Sequence, residues 1–302
     1  MDTDMLDRPN RLSTAKVGLW QRIGDIWRAR ELLVAFTRTE LKVKYKNSVL
    51  GFMWSMLNPA LYLVVFYVVF QLILGSGIPN FPIFLLSGLL VWNLFSVGLA
   101  GATGSVVANA GLVRKVSFAR EILPLASVGG ALVHFFLQSV VLVGALLVFR
   151  WDVAVAYLPL LPVALVALLM FTAALGTLTA AMNVRLRDVA HFVELALLAW
   201  FWMTPIVYPY DLVAEKAGKW LFLYQLNPVT WVVITFQRAI YGKVRAVKVT
   251  DGVAQVTKIL PKGADQWWYL WHLGIVIAAS FALFVIALSF FGRVEGDFAE
   301  EL

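Results

Sequence analysis

His134, His191 and His272 are the chain's three imidazoles, and they stand too far apart to hold a metal ion by local spacing. Asp152, Asp211 and Glu215 are scattered between apolar runs, without the close carboxylate pair that a glycan-processing site needs. The Gly-Lys pairs at 218–219 and 242–243 lack a glycine five residues earlier, so neither is a phosphate-cradling loop. No Gly-x-Ser-x-Gly nucleophile turn occurs. Cysteine is absent, which removes disulfides, thiolate metal sites and thiol nucleophiles. These residues predict no catalytic centre, metal or cofactor in this chain. Nor do they spell out an ion relay, since His191 and Glu194 sit at the beginning of one apolar run and the other histidines are isolated. A pump without an ATP site or a relay needs an external motor.

Other residues suit contact rather than catalysis. The segment 110–122 reads as a short amphipathic helix, with Leu112, Val113, Val116 and Phe118 among Arg114, Lys115, Ser117 and Arg120. It is an ordinary interfacial connector or a knob for a partner's groove, and the residues alone leave both open. Aromatics are abundant, with 12 Trp, 9 Tyr and 21 Phe, many of them suited to interfacial belts. Tyr62 and Phe66, then Trp200, Trp202, Tyr208 and Tyr210 around two prolines, then Tyr224 and Trp231, are candidates to line a channel or gate on which sugar rings stack. Lys42, Lys44, Lys46, Arg185 and Arg187 suit attraction of an anionic head group, or equally of anionic lipid.

The elements that must position these residues are membrane helices. Hydrophobic residues make up 61% of the 302, charged residues only 14%, and mean hydropathy is +0.81. A soluble chain carries about 25% charged residues, so most of this surface must face lipid. Six spans are expected at about 51–74, 82–107, 123–149, 157–182, 190–209 and 267–291, an all-α polytopic fold. Residues 1–50 form a cytoplasmic N-terminal region and residues 293–302 a tail. Sixteen Lys/Arg fall on the side of the termini and nine on the other, eight of them in the long 211–265 loop, which counts weakly. Both termini are therefore expected in the cytoplasm. No signal peptide is expected ahead of the first span. The net charge of +7 is read as topology, not as nucleic-acid binding.

Shorter features fill the gaps. Val17, Leu19, Trp20, Ile23, Ile26 and Trp27 recur at helical spacing among charges, an amphipathic helix lying in the inner interface. Asn227-Pro228 divides 211–241 into two short helices, about 211–223 and 228–241, entering and leaving the outer leaflet. Alternation around Asp251-Gly252 predicts a small extracellular β-hairpin at 244–260. The small-residue faces Ala100-Gly104-Ala108 and Thr172-Gly176-Ala180 permit close helix approach and association of two copies.

Several blocks carry a family resemblance: Tyr45, Ser48, Leu50-Gly51, Trp54, Leu57 and Pro59; Arg114-Lys115-Val116-Ser117-Phe118; Thr204-Pro205-Ile206-Val207-Tyr208-Pro209; Asn227-Pro228; and Phe298-Ala299-Glu300-Glu301-Leu302. In this order and spacing the chain resembles the permease subunits of polysaccharide-exporting ABC transporters, which serve lipid-linked O-antigen, capsule and teichoic acid polymers. The resemblance implies a homodimer of six-span subunits in the bacterial inner membrane, bound to two ATP-binding cassette subunits that hold the ATP and Mg. It implies that 110–122 is the coupling helix, that 211–241 forms external gate helices, and that a polyprenyl-diphosphate-linked polysaccharide passes an aromatic-lined channel between the subunits. The hairpin departs from the simplest members. A permease for another lipid or drug cargo, a membrane-embedded glycan-processing enzyme and a secondary carrier stay open as alternatives.

Overall fold

The computed structural model describes residues 19–46, 48, 50–51, 53–73, 78, 80–242, 246–250, 253–257, 260–261 and 263–302. Val17, most of the expected turn at 75–80, the Asp251-Gly252 pair and the side chain of Lys44 lie outside the described residues. The chain opens with α1 (Leu19–Arg28) and α2 (Arg30–Tyr45). α3 (Met53–Phe66) runs on into a wider π-helical segment, Tyr67–Ile73. Then come α4 (Phe81–Ala108), α5 (Ala110–Val113), α6 (Ile122–Val148), α7 (Leu160–Arg185) and α8 (Asp188–Trp202). Three shorter helices follow, α9 (Tyr210–Lys216), α10 (Leu221–Gln225) and α11 (Pro228–Tyr241). β1 (Ala246–Thr250) pairs antiparallel with β2 (Val253–Thr257), Val247 facing Val256 and Thr250 facing Val253. The chain closes with α12 (Gln266–Val294) and α13 (Phe298–Glu301).

Four helices among the described residues, α4, α6, α7 and the stretch from Gln266 through the turn after α12, are long and apolar enough to cross a membrane. Each forms where charge is missing for more than one bilayer thickness, and each is stopped by local chemistry. Asp265 caps α12 by accepting from the Trp268 N–H at 2.9 Å. Asn109 ends α4 and returns its amide to the Ser105 carbonyl at 2.8 Å. The first expected span is built differently, from the 14 residues of α3 and the seven of the π segment. The fifth is shorter than expected, because α8 ends at Trp202 and Met203–Pro209 is irregular.

α4 is the central helix. Its residues from Phe81 to Trp92 are all buried, against α6, α7 and α11. α12 packs along α7 and turns its other face outward. The Thr172-Gly176-Ala180 face, expected to bring copies together, is used inside the subunit instead. Thr172 and Ala180 are fully buried, and the Gly176 Cα faces Ala102 so closely that an added Cβ would lie 2.6 Å from the Ala102 Cβ. Ala100 and Ala108 stay exposed.

Of the two expected helices of 211–241, the first takes another form. Gly218, at φ +49, divides the first into α9, a single 3-10 turn and α10. The second, α11, runs from Pro228 to Tyr241 as expected, and every residue from Val229 to Gln237 is buried among α4, α7 and α12. Residues Val229, Val232, Val233 and Ile234 have no polar face to offer water, and the bundle takes them in whole.

Replacing Gly176 with Ala is expected to cost about 1–3 kcal/mol, since neither helix backbone can yield freely. The thermal midpoint in detergent should fall by several degrees. Gly104→Ala, where an added Cβ meets nothing within 4 Å, should leave it unchanged. Equal midpoints for the two variants would show that α4 and α7 are not locked at this crossing.

Candidate functional site

The functional residues lie at two ends of the bundle. At one end α1, the segment 109–121, the 185–188 connection and the C-terminal tail converge. Segment 110–122 is not one helix, contrary to expectation. Only α5 is helical, because Val113, Val116 and Ser117 are weak helix formers and the next side chains are drawn to separate anchors. Val113 is buried with Val106, Val184, Phe291 and Phe298, and Phe118 packs against that cluster and against Phe36, ring centroids 5.8 Å apart. Arg120 donates to the Glu295 carbonyl at 2.6 Å. Between these anchors Arg114, Lys115, Val116 and Ser117 are exposed, and Leu112 is half-buried. The part of the segment that faces outward is therefore Val116 with its cationic neighbours. Phe118 is an anchor.

A charge cluster fastens α1 to the same place. The Arg22 guanidinium pairs with Glu121 and, at 3.0 Å, with Glu295. It lies over Gly292, where a Cβ would come within 2.6 Å of Cζ. Burial works against the charged Arg22, but its hydrogen bonds and attraction to Glu295 and Glu121 outweigh that and raise its pKa. Burial, then the nearby Glu295 charge, pushes Glu121 upward from its ordinary value despite Arg22. One cation thus serves two acids. Because the folded pKa of Glu121 is raised, the stability it contributes is present at acid pH and is lost as pH rises through the folded value.

The proposed head-group cations divide. Lys42 on α2 and Lys46 just past its end are exposed. Arg185 and Arg187, also exposed, bind the tail as well: Arg185 holds Asp297 at 2.6 Å and Glu301 at 3.3 Å, and Arg187 donates to the Glu301 carbonyl at 3.3 Å.

The second place is the break after α8. Asn227 is its hub. Its Oδ1 accepts from Val229 N–H at 3.0 Å and from Trp200 Nε1 at 2.9 Å, and its Nδ2 donates to Thr204 Oγ1 at 3.0 Å. Gln237, fully buried, donates to the Pro205 carbonyl at 2.8 Å. The eight aromatics expected to line a channel separate around this break. Tyr62 and Trp202 are about half exposed. Phe66 packs on Phe70 and Phe201, and Trp200 on Phe95 and Phe171. Tyr208 is partly exposed and donates to the Trp202 carbonyl at 2.6 Å, and Tyr224 lies against Tyr210. Tyr210 and Trp231, only 4% and 6% exposed, are core residues and not channel lining: Trp231 donates to the Gln225 carbonyl and stacks on His272 at 3.9 Å.

Sequence reading missed Arg22, Glu121, Asn227 and Gln237 as organisers. Two had signals: Asn before Pro228 marks a helix start, and Gln237 is a lone amide in an apolar stretch. α2 was also not foreseen as an element of its own. Among the described residues no group of His, Cys, Asp or Glu could hold a metal ion.

Comparison with known proteins agrees with this architecture. The ABC-2 type transporter family matches residues 31–241, from the start of α2 to the end of α11. The O-antigen export system permease protein RfbA of Klebsiella pneumoniae is 28% identical over 272 residues, covering 90% of this chain and 95% of that protein. RfbA of Myxococcus xanthus is 34% identical over 220 residues, 72% of this chain and 84% of that protein. The polysialic acid transport protein KpsM of Escherichia coli is 32% identical over 75 residues, 24% of this chain and 29% of that protein. With the membrane-length helices already described, this is a multi-pass membrane protein, and the chain belongs to the ABC-2 type transporter family.

Proposed function

We propose that this chain is the channel-forming permease of an ATP-driven exporter, which moves a lipid-linked polysaccharide from the cytoplasmic to the outer side of a bacterial inner membrane. The observation that carries this reading is the similarity, along 90% of the chain, to O-antigen export permeases. Six spans complete the topology: the four long helices, α3 with its π segment, and α8 with Met203–Pro209. The convergence of α1, segment 109–121, the 185–188 connection and the tail supports placing both termini on one side, and the excess of Lys/Arg supports calling that side cytoplasmic. Two copies of the chain enclose the channel. Each binds one ATP-binding cassette subunit, and ATP and Mg reside there.

Force enters at Arg114–Ser117. Val113, Phe118 and the Arg22 cluster carry it to α4, α6, α12 and the interface helix α1 as one body, since each anchor touches a different element. Lys42 and Lys46 attract the diphosphate of the lipid carrier at the inner leaflet. Tyr62 and Trp202 offer ring faces along the route, where stacking lets a glycan slide without a deep trap.

Three outcomes are expected. The purified chain should bring with it a P-loop ATPase, and its depletion should remove surface polysaccharide while leaving drug tolerance unchanged; the reverse pattern would give the permease another cargo. Val116→Glu should leave the fold intact and abolish export, because it places a charge where the knob meets its groove. Normal export would remove the assignment of the 114–117 turn. Arg22→Ala should lower stability by about 3–5 kcal/mol, leaving Glu121 buried beside Glu295 without a cation. Glu121→Gln should cost far less, and equal losses in chemical denaturation would deny the shared-cation arrangement.

A further inference from the structure

Where α2, α4 and α6 meet, a cavity of about 330 Å³ opens near the cytoplasmic end of the bundle. Glu40, Gly101, Gly104, Asn109, Ser127 and His134 line it. It belongs neither to the coupling turn nor to the break after α8. Its size is at the small end of ligand pockets, which run from about 300 to 1,000 Å³. That is room for a sugar ring, not for a polymer.

The polar groups are held in place. Ser127 Oγ donates to Glu40 Oε1 at 2.6 Å. Tyr45 OH and His134 Nδ1 are 3.2 Å apart, which fixes the imidazole plane. Gly104 contributes open floor, since an added Cβ meets nothing within 4 Å. An acid and a histidine are expensive beside lipid, and here each has a protein partner and also lines the recess. Leu41, Val97 and Ala131 make the rest of the wall apolar, and the carboxylate, imidazole and amide among them keep a recess of this size wet. Carboxylate, imidazole, amide and hydroxyl together accept from and donate to sugar hydroxyls, and a glycine floor lets a flat ring come close. The carboxylate disfavours a phosphate inside the cavity. The exposed Lys42 on α2 and Lys46 just past its end favour one outside it.

We propose that this cavity is a subsite for one neutral sugar residue, the one next to the lipid diphosphate, taken as the glycan approaches the channel. The proposal rests on the glycan-export reading and adds to it a place where the sugar is recognised.

The full-length chain in nanodiscs is titrated with farnesyl diphosphate and with the same lipid carrying N-acetylglucosamine, galactose or mannose. At least one sugar-bearing probe should bind about tenfold more tightly than the bare diphosphate. Gly104→Leu, which fills the cavity, and Glu40→Gln, which keeps its volume, should both bring that ratio close to one while the thermal midpoint shows a folded chain. A ratio near one for all three probes on the native chain overturns the subsite, and so does a ratio that survives both substitutions. Polysaccharide export by cells carrying the native chain is measured beside it. Export without any sugar-dependent ratio removes the subsite alone, and loss of the export reading shows as unchanged surface polysaccharide on depletion.

Discussion

A bilayer has no water to satisfy a broken helix, and the rest of this fold answers to that constraint. α8 stops at Trp202, and seven residues then run without regular structure beside the most buried part of the bundle. Their polar groups are met by two amides on or beside α11. Asn227 reaches Thr204 and Trp200, and Gln237 reaches the Pro205 carbonyl. α11 must therefore lie inside the bundle, within reach, and it does. The far end of α11 is satisfied in the same way, by Trp151 Nε1 on the Ile240 carbonyl and Ala154 N–H on the Ala239 carbonyl. A helix that looks like a lid in outline is a pillar in its contacts.

The opposite end obeys the same rule with charge in place of backbone. Two carboxylates from distant parts of the chain meet a single guanidinium from a third. None of the three would be stable there alone, so α1, the 109–121 segment and the tail are bound to fold together. Aromatic contacts then fill the spaces between polar anchors. Tyr62, Phe66, Phe70, Phe81, Phe84 and Tyr241 form a continuous ladder from α3 to α11. Much of the aromatic content is therefore cohesion within one subunit, and only its outer rungs remain to meet a ligand.

What was legible in the sequence followed from what a single element demands. The long uncharged stretches outline α4, α6, α7 and α12, because a helix in lipid must be apolar over its whole length. What needed the fold was pairing across distance. No local pattern says that Arg22 will share itself between Glu121 and Glu295, or that Arg185 will hold Asp297. The amphipathic spacing of 110–122 suggested a helix because alternation with cations looks the same in a turn pinned at both ends. Trp231 and Tyr210 were chosen for their ring chemistry, which sequence displays, while their burial is a property of the helices around them.

The shortness of α8 has a consequence for the lipid around it. Its 15 residues extend about 22 Å, against a hydrocarbon core of about 30 Å. Phe192, Leu195 and Leu198 are apolar on its exposed side over less than that, with His191 and Glu194 exposed beside them. α12, with 29 residues, has no such shortfall. In helix alone this flank is thus shorter than the α12 flank, and a bilayer spanned by α8 without the irregular Met203–Pro209 would compress there at a modest cost for each ångström. Covering that flank relieves the compression, whether the cover is another protein edge of the same height or a carrier lipid whose head group prefers a thinned membrane. Hydrophobic mismatch, built in by one truncated helix, marks which side of the subunit the membrane holds least firmly.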